Sequence, residues 1–208
     1  MKQLQLETLV LGPVSTNCYL AKNRESGALL LIDPADCADV IARKIAGMRG
    51  TPEAILLTHG HFDHIGAAME LKNRFAIPIC ALDQEQEVLK DPVKNLTGWN
   101  GSGYGMTADR CFTDGEELVL AGFAITVLHT PGHTVGSTCY YLPEEEVLFS
   151  GDTLFHCSVG RTDFPTGSMG DIHRSLHEKL FMLPEKTEVF PGHDAATTIQ
   201  YEKRFNPY

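Results

Sequence analysis

Four separate apolar runs in this chain each end in a glycine- or proline-bearing turn that carries a histidine or an aspartate. Ala54-Ile55-Leu56-Leu57 leads through Thr58 into His59-Gly60-His61-Phe62-Asp63-His64. Ala124–Leu128 leads to Pro131-Gly132-His133, Val147-Leu148-Phe149 to Ser150-Gly151-Asp152, and Val189-Phe190 to Pro191-Gly192-His193. Short apolar runs bounded by such turn residues read as buried strands. Polar groups at strand ends, on turns that glycine and proline permit, can converge on one edge of a sheet. The fold must therefore bring four strand ends together.

The first cluster shows what would meet there. Three histidines and one aspartate within six residues have no packing rationale, whereas neutral imidazoles and carboxylates suit zinc, iron and manganese. From an extended loop, His59 and His61 can point the same way. Asp63 and His64, at the entry to the next helix, can face a second ion. Binuclear hydrolytic sites hold their metals roughly 3.5–4 Å apart, and an aspartate such as Asp152 is a natural bridge. Taken singly, His133 or His193 would more often be a hydrogen-bonded structural histidine. Their ordered recurrence with Asp152 behind HxHxDH makes the metal reading specific.

The remaining pattern mixes strands and helices. Strands are expected at Leu4–Leu11, Cys18–Lys22 and Ala28–Ile32, the last ending at Asp33-Pro34. A helix follows on the spacing of Cys37, Val40, Ile41, Ile45 and Met48, with Gly50 just past its end. A helix near Ile65–Phe75 and a strand at Pro78–Leu82 come next. Residues 91–110 break the periodicity: Gly98, Gly101, Gly103 and Gly105 surround Trp99 and Tyr104, giving a long loop that is either a substrate lid or packed surface. Asp114-Gly115 and Ala121-Gly122 then mark turns between short strands. Strands near Ser137–Leu142 and Glu146–Phe149 precede a helix capped by Ser168 with Asp171 three residues on. Ile172, Leu176 and Leu180 give that helix one apolar stripe. A strand at Thr187–Phe190 and a short helix end the chain. Two half-chains of similar pattern suggest two sheets with helices outside.

The 208 residues, 43% hydrophobic and 21% charged, suffice for one sizeable core without a metal staple. A metal here would serve chemistry. A net charge of -10 and the lack of a basic stripe argue against a nucleic-acid partner. Bound divalent cations can still reverse the field inside a cleft for a small anion. Cys18, Cys37, Cys80, Cys111, Cys139 and Cys157 include no CxxC pair. MKQLQLETLV lacks a signal-peptide core and no later stretch approaches a membrane span, so reduced thiols and a cytoplasmic setting are expected, with no membrane partner.

The ordered motifs THGHFDH, TPGHT, SGDTLF, GRTDF and PGHD resemble those of the metallo-β-lactamase superfamily, and most closely its glyoxalase II-like (hydroxyacylglutathione hydrolase) branch. The N-terminal strands and the ending TTIQYEKRFNP also fit its short bacterial members, so the resemblance covers residues 1–208 as one domain. It implies an α/β fold, an αββα four-layer sandwich with the site between the edges of two sheets. It also implies two divalent ions per chain, zinc first, with iron or manganese also fitting. Carried over, His59, His61 and His133 hold the first metal; Asp63, His64 and His193 hold the second; Asp152 bridges them. Family β-lactamases carry cysteine at the position of Asp152, so antibiotic hydrolysis is disfavoured. Di-iron electron-transfer members carry glutamate in place of His61.

The implied reaction is thioester hydrolysis by a shared, activated water, with Asp63 also orienting it and a thiolate leaving without a general acid. Full-length glyoxalase II enzymes continue into a helical domain and use a lysine and a tyrosine where this chain has Gly160-Arg161-Thr162-Asp163. A weaker hold on glutathione is expected, with Arg161 as a carboxylate clamp and Asp163 in an ion pair or turn contact. The rival is a persulfide dioxygenase with one iron on His59, His133 and Asp152; a non-catalytic metal- or thiol-sensing module is a third class. Among other histidines, His129 reads as structural or as a support behind the ligands, His156 as a candidate to line the cleft, and His173 and His177 as a solvated or half-buried helical face. Cys157 reads as an oxidisable thiol near the mouth.

Overall fold

The computed structural model describes residues 2–100 and 103–208; Gly101, one of the loop glycines singled out above, lies outside them. β1 (Leu4–Leu11), β2 (Thr16–Asn23), β3 (Ala28–Ile32), β4 (Thr51–Leu56), β5 (Ile79–Leu82) and β6 (Arg110–Phe112) form one six-stranded sheet in that order. β1 to β3 pair antiparallel as hairpins, and β3 to β6 pair parallel. The second sheet also has six strands. β7 (Glu117–Leu120), β8 (Phe123–His129), β9 (Thr138–Leu142) and β10 (Val147–Gly151) form an antiparallel meander. β10 then pairs parallel with β13 (Glu188–Pro191), which pairs antiparallel with β14 (Thr197–Thr198). A small hairpin of β11 (Leu154–Phe155) and β12 (Ser158–Val159) follows β10 directly.

Strand parity sorts the side chains into three cores, because successive residues point to opposite faces. In β3, Leu30 and Ile32 face the other sheet while Leu29 and Leu31 face helices α1 (Ala38–Met48) and α3 (Ala68–Phe75). Likewise Ala54 and Leu56 of β4 point inward, and Ile55 points out beside Leu57. In the second sheet, Tyr140 and Phe149 fill the space between sheets; Cys139, Tyr141 and Leu148 pack outward. Their partners are Ile172 on α5 (Met169–Arg174), Leu176 and Leu180 just beyond it, and Ile199 on α6 (Ile199–Phe205). Strands covered on both faces read as continuous apolar runs, which is the pattern of 28–32 and 54–57. The result is the expected αββα sandwich, with the core between the sheets flanked by one under each helical layer.

Three local differences from the sequence expectation have clear causes. The helix expected near Ile65–Phe75 is two pieces, α2 (Phe62–Ile65) and α3, because the Ala67 amide leaves the helical ladder to donate to Pro34 O at 2.9 Å. The helix α4 (Gln86–Lys90), unread in the sequence, is one short turn following a 3-10 turn. Of the expected capping box at Ser168, half forms: Ser168 Oγ accepts from the Asp171 amide, while the Asp171 carboxylate pairs with Arg174. The long 91–110 loop is pinned by Asn95, which is buried and donates to Leu89 O and Tyr104 O. Its own carbonyl oxygen takes the amide of Phe62 at 2.8 Å, tying the loop to the histidine cluster.

Candidate metal centre

The ends of β4, β8, β10 and β13 meet at one edge of the sandwich, where the two sheets are stitched together. Thr138 N donates to Thr58 O at 2.9 Å, Tyr140 Oη to Leu57 O at 2.8 Å, and Tyr19 Oη to Pro191 O at 2.6 Å. Five histidines and two aspartates converge there. Ligand atoms of His59, His61 and His133 lie within 4.8 Å of one another, as do those of Asp63, His64 and His193. Asp152 stands between the two groups. Its Oδ1 is 3.4 Å from His64 Nε2, and its Oδ2 is 3.5 Å from His133 Nε2 and 3.6 Å from His193 Nε2. The structure thus brings together all seven residues that the resemblance names as ligands, and His59, His64 and Asp152 also lie within the same reach of one another.

The surrounding hydrogen bonds assign the imidazole tautomers and thereby test whether cations fit. His133 Nδ1 lies 2.7 Å from Arg161 O, an acceptor, so Nδ1 carries the proton and Nε2 a free lone pair. His64 Nδ1 lies 2.9 Å from Asp33 Oδ2 and does the same. Thr58 Oγ1 gives its one proton to Asp33 Oδ2 at 2.6 Å, so it accepts from His59 Nδ1 at 3.2 Å. Three Nε2 lone pairs are thus aimed inward. His59 Nε2, His61 Nε2, His64 Nε2 and Asp152 Oδ1 are buried without any hydrogen-bond partner. His61 Nδ1 and His133 Nε2 face each other at 2.8 Å. Buried polar atoms without partners are rare and costly; electron-pair donors sharing one focus are what divalent cations satisfy.

Electrostatics point the same way. Burial, reinforced by His64 and His133, holds the His59 imidazole well below its ordinary range. Burial and then His133 push His61 down to about 3. Burial opposes charge on His64 too, but the carboxylates of Asp63, Asp152 and Asp33 outweigh it and hold that imidazole well above its usual value. Burial alone would raise Asp152, yet His64, His133 and His193 bring it down to about 2. Asp152 and Asp63, both held below the usual carboxylate range, therefore stay ionised and demand positive charge, which a proton on His64 or a divalent ion can supply. The turn chemistry matters here: a Cβ on Gly192 would sit 2.2 Å from Asp152 Oδ1 and 2.7 Å from His64 Cε1, so only glycine lets His193 follow so closely.

Two residues outside the motifs organise the site. Asp33, at a positive φ of 47° and almost wholly buried, accepts from Thr58 N, Thr58 Oγ1 and His64 Nδ1. Its available signal was a strand ending in Asp-Pro, which reads equally as a turn. Asp33→Asn would set an amide NH2 against the His64 Nδ1 proton and drive that proton to Nε2, the ligand position. Metal affinity in a chelator competition should fall about 10–100-fold; unchanged affinity would show that Asp33 does not set the tautomer. Glu85 is fully buried and joins the two loops of the first triad, accepting from Gly60 N at 2.6 Å, Thr134 Oγ1 at 2.8 Å and Gly136 N at 2.9 Å. Burial pushes its carboxyl up to about 8 against these three donors. Glu85→Gln turns one acceptor into a donor facing a donor, at a cost of about 1–3 kcal/mol. A melting temperature lower by roughly 2–12 °C is expected, and an unchanged one would contradict the cross-link.

The other singled-out residues fall around this centre. Arg161 lines the cavity, but Asp163 already takes its Nε and a terminal nitrogen at 2.7 Å each, as expected for an ion pair. In that geometry the guanidinium is not a free carboxylate clamp. His129 Nε2 lies 2.8 Å from Val135 O and braces a turn. His156 lines a different hollow with Tyr201 and Phe190, away from the metal cavity, which corrects its reading as a cleft residue. Cys157 lies beside Tyr201 instead of at the cavity mouth. His173 and His177 stack at 4.3 Å on an exposed face. The six thiols are unpaired, and burial pushes Cys139 up to about 11.

Residues 11–193 match the family model of the metallo-β-lactamase superfamily. The chain belongs to that superfamily. Hydroxyacylglutathione hydrolase GloC of Haemophilus influenzae is 35% identical over 208 residues, covering 99% of this chain and 98% of the relative. A crystal structure of BLEG-1 B3 metallo-β-lactamase superposes with a TM-score of 0.92 at 38% identity, covering 98% of both chains. TTHA1623 in a di-iron-bound form gives 0.85 at 35% identity, over 97% of this chain and 98% of that one. ETHE1 from Myxococcus xanthus gives 0.79 at 30%, over 98% and 83%. The superfamily assignment makes this chain a metallo-hydrolase relative whose His/Asp cluster fits divalent metals.

Proposed function

We propose that this protein is a binuclear metal-dependent thioesterase of the hydroxyacylglutathione hydrolase type, acting on a small-molecule thioester. The observation that carries the reading is Asp152, which reaches a histidine of the first triad and two of the second with its two oxygens. A mononuclear site on His59, His133 and Asp152 would leave the approach of Asp152 to His64 and His193 without a role. Asp63, His64 and His193 form a second complete ligand group, and likeness to GloC and to a di-iron protein adds support. When bound, two divalent ions supply an activated water and positive charge where an oxyanion develops. Zinc heads the candidates, with iron or manganese also fitting the donor set.

The chain's own residues do the rest. Asp63, nearly buried, accepts from Thr16 Oγ1 at 2.8 Å and lies 3.3 Å from His193 Nε2. One of its oxygens is thus fixed, and the carboxylate can hold an attacking water in line with the carbonyl. His133, tied to Arg161 O, and His59, tied through Thr58 to Asp33, keep their rings from turning. A thiolate leaving group needs no full protonation because a thiol pKa is only about 8.5, so no general acid is required. No helix among the described residues is long and apolar enough to cross a membrane. The setting proposed is cytoplasmic, with neither nucleic acid nor membrane as partner.

A mononuclear iron persulfide dioxygenase on His59, His133 and Asp152 is the second reading, which the likeness to ETHE1 leaves open. Side-by-side assays of S-lactoylglutathione, a neutral thioester, a β-lactam and glutathione persulfide separate the alternatives. Thioester hydrolysis dominant over turnover of the β-lactam and the persulfide is expected. Oxygen uptake with persulfide, or β-lactam turnover exceeding that of every thioester, would overturn the proposal.

A further inference from the structure

The metal cluster opens into a cavity of about 580 Å³ whose far walls are apolar. Phe164 packs edge-on against His61 at 5.7 Å between ring centroids, and Trp99 packs edge-on against Phe164 at 5.1 Å. An aromatic wall therefore begins at a ligand ring and runs outward. Val14, Leu96, Phe155 and Val159 complete it. Val14 and Trp99 are 48% and 62% exposed, although large apolar side chains grouped at a cleft gain by being covered.

Charge in this cavity is as telling as its shape. Among the described residues lining it, Arg161 is the one arginine or lysine. Its guanidinium is bonded twice to Asp163 and lies 3.9 Å over the Phe164 ring. The pair is neutral as a unit and presents a flat, stacked face. An adjoining hollow of about 370 Å³, sharing Phe62, Asp63, Leu96 and Trp99, adds Asp36 and Tyr104 and, among the described residues, no lysine or arginine. A substrate arm bearing carboxylates would meet aromatic rings and aspartates outside the metal cluster. Desolvating such an arm with no partner is costly.

We propose that this site selects thioesters whose arm beside the scissile carbonyl is uncharged and apolar, an aliphatic or aryl group laid along Phe164 and Trp99. The inference rests on the thioesterase reading above. Contact energy gained along the wall helps position the carbonyl at the cluster, so it appears in kcat/KM. The apolar arm can belong to the acyl half or to the thiol half; the two are separated by varying one while holding the other.

The test uses metal-loaded protein and two series of thioesters: acetyl to octanoyl esters of one neutral thiol, and acetyl esters of thiols with lengthening alkyl chains. In one series, kcat/KM should rise on the order of fourfold per methylene until the wall is covered, and succinyl esters should be poor. Phe164→Ala and Trp99→Ala should flatten that rise. Asp163→Asn should release Arg161 and raise the succinyl-to-butyryl ratio about tenfold, the value of one charge-assisted contact. Trp99 is the sole tryptophan, so binding of a non-hydrolysable S-octyl thioether should shift its fluorescence even if no thioester turns over. Hydrolysis that is flat or declining with chain length in both series would overturn the inference while leaving the thioesterase reading intact. No hydrolysis of any thioester, with the octyl thioether still bound, would overturn the thioesterase reading alone. No fluorescence response and no chain-length effect would sink the apolar-arm proposal outright.

Discussion

Asp152→Ala should cost the protein one or both metals and nearly all thioester hydrolysis, with rates down by at least about 10³-fold, the order seen when electrostatic stabilisation of the reacting centre is lost. The reason is position. This carboxylate spans from His133 to His64 and His193, so its removal unlinks two ligand groups at once. The fold should survive, because the three cores rest on strand residues such as Leu30, Leu56, Tyr140 and Leu148 and not on the ions. Circular dichroism and elemental analysis of the variant check both halves. Hydrolysis at the parent rate would contradict the binuclear assignment.

His193→Ala separates the two groups. His193 is half-buried, next to Asp63 and Asp152, and the mononuclear alternative does not use it as a ligand. The metal count should fall from two to one per chain and hydrolysis by orders of magnitude, about 10²-fold or more. The first group should keep its ion, since His59, His61 and His133 are untouched and the tautomers of His59 and His133 are set by Thr58 and Arg161 O. An unchanged metal count with undiminished persulfide oxidation would favour the dioxygenase.

Much of this architecture was legible because it is written in local pattern. The alternation of Leu29 to Ile32 and of Ala54 to Leu57 between two faces produces apolar runs that single out buried strands. The HxHxDH cluster and the later GD and PGH turns fall at strand ends, where topology had to bring them together. What escaped the sequence reading was set by distant partners. Asp33 orients His64 from another strand end, and Glu85 ties Gly60 to Gly136 across the sheets; no periodicity marks either. The Ala67 amide that splits the helix answers to Pro34 O, a tertiary contact. Arg161 carried the right chemistry for a clamp, but only the folded chain shows that Asp163 occupies it.

In the proposed function, Asp152 joins two metal sites in one hydrolytic centre. Metal content per chain, measured on purified protein of known concentration alongside its thioester activity, tests that claim most directly. Two divalent ions per chain are expected, with activity lost on chelation and restored as the second equivalent is returned. A single tightly held iron, with full activity at one equivalent, would contradict the binuclear assignment.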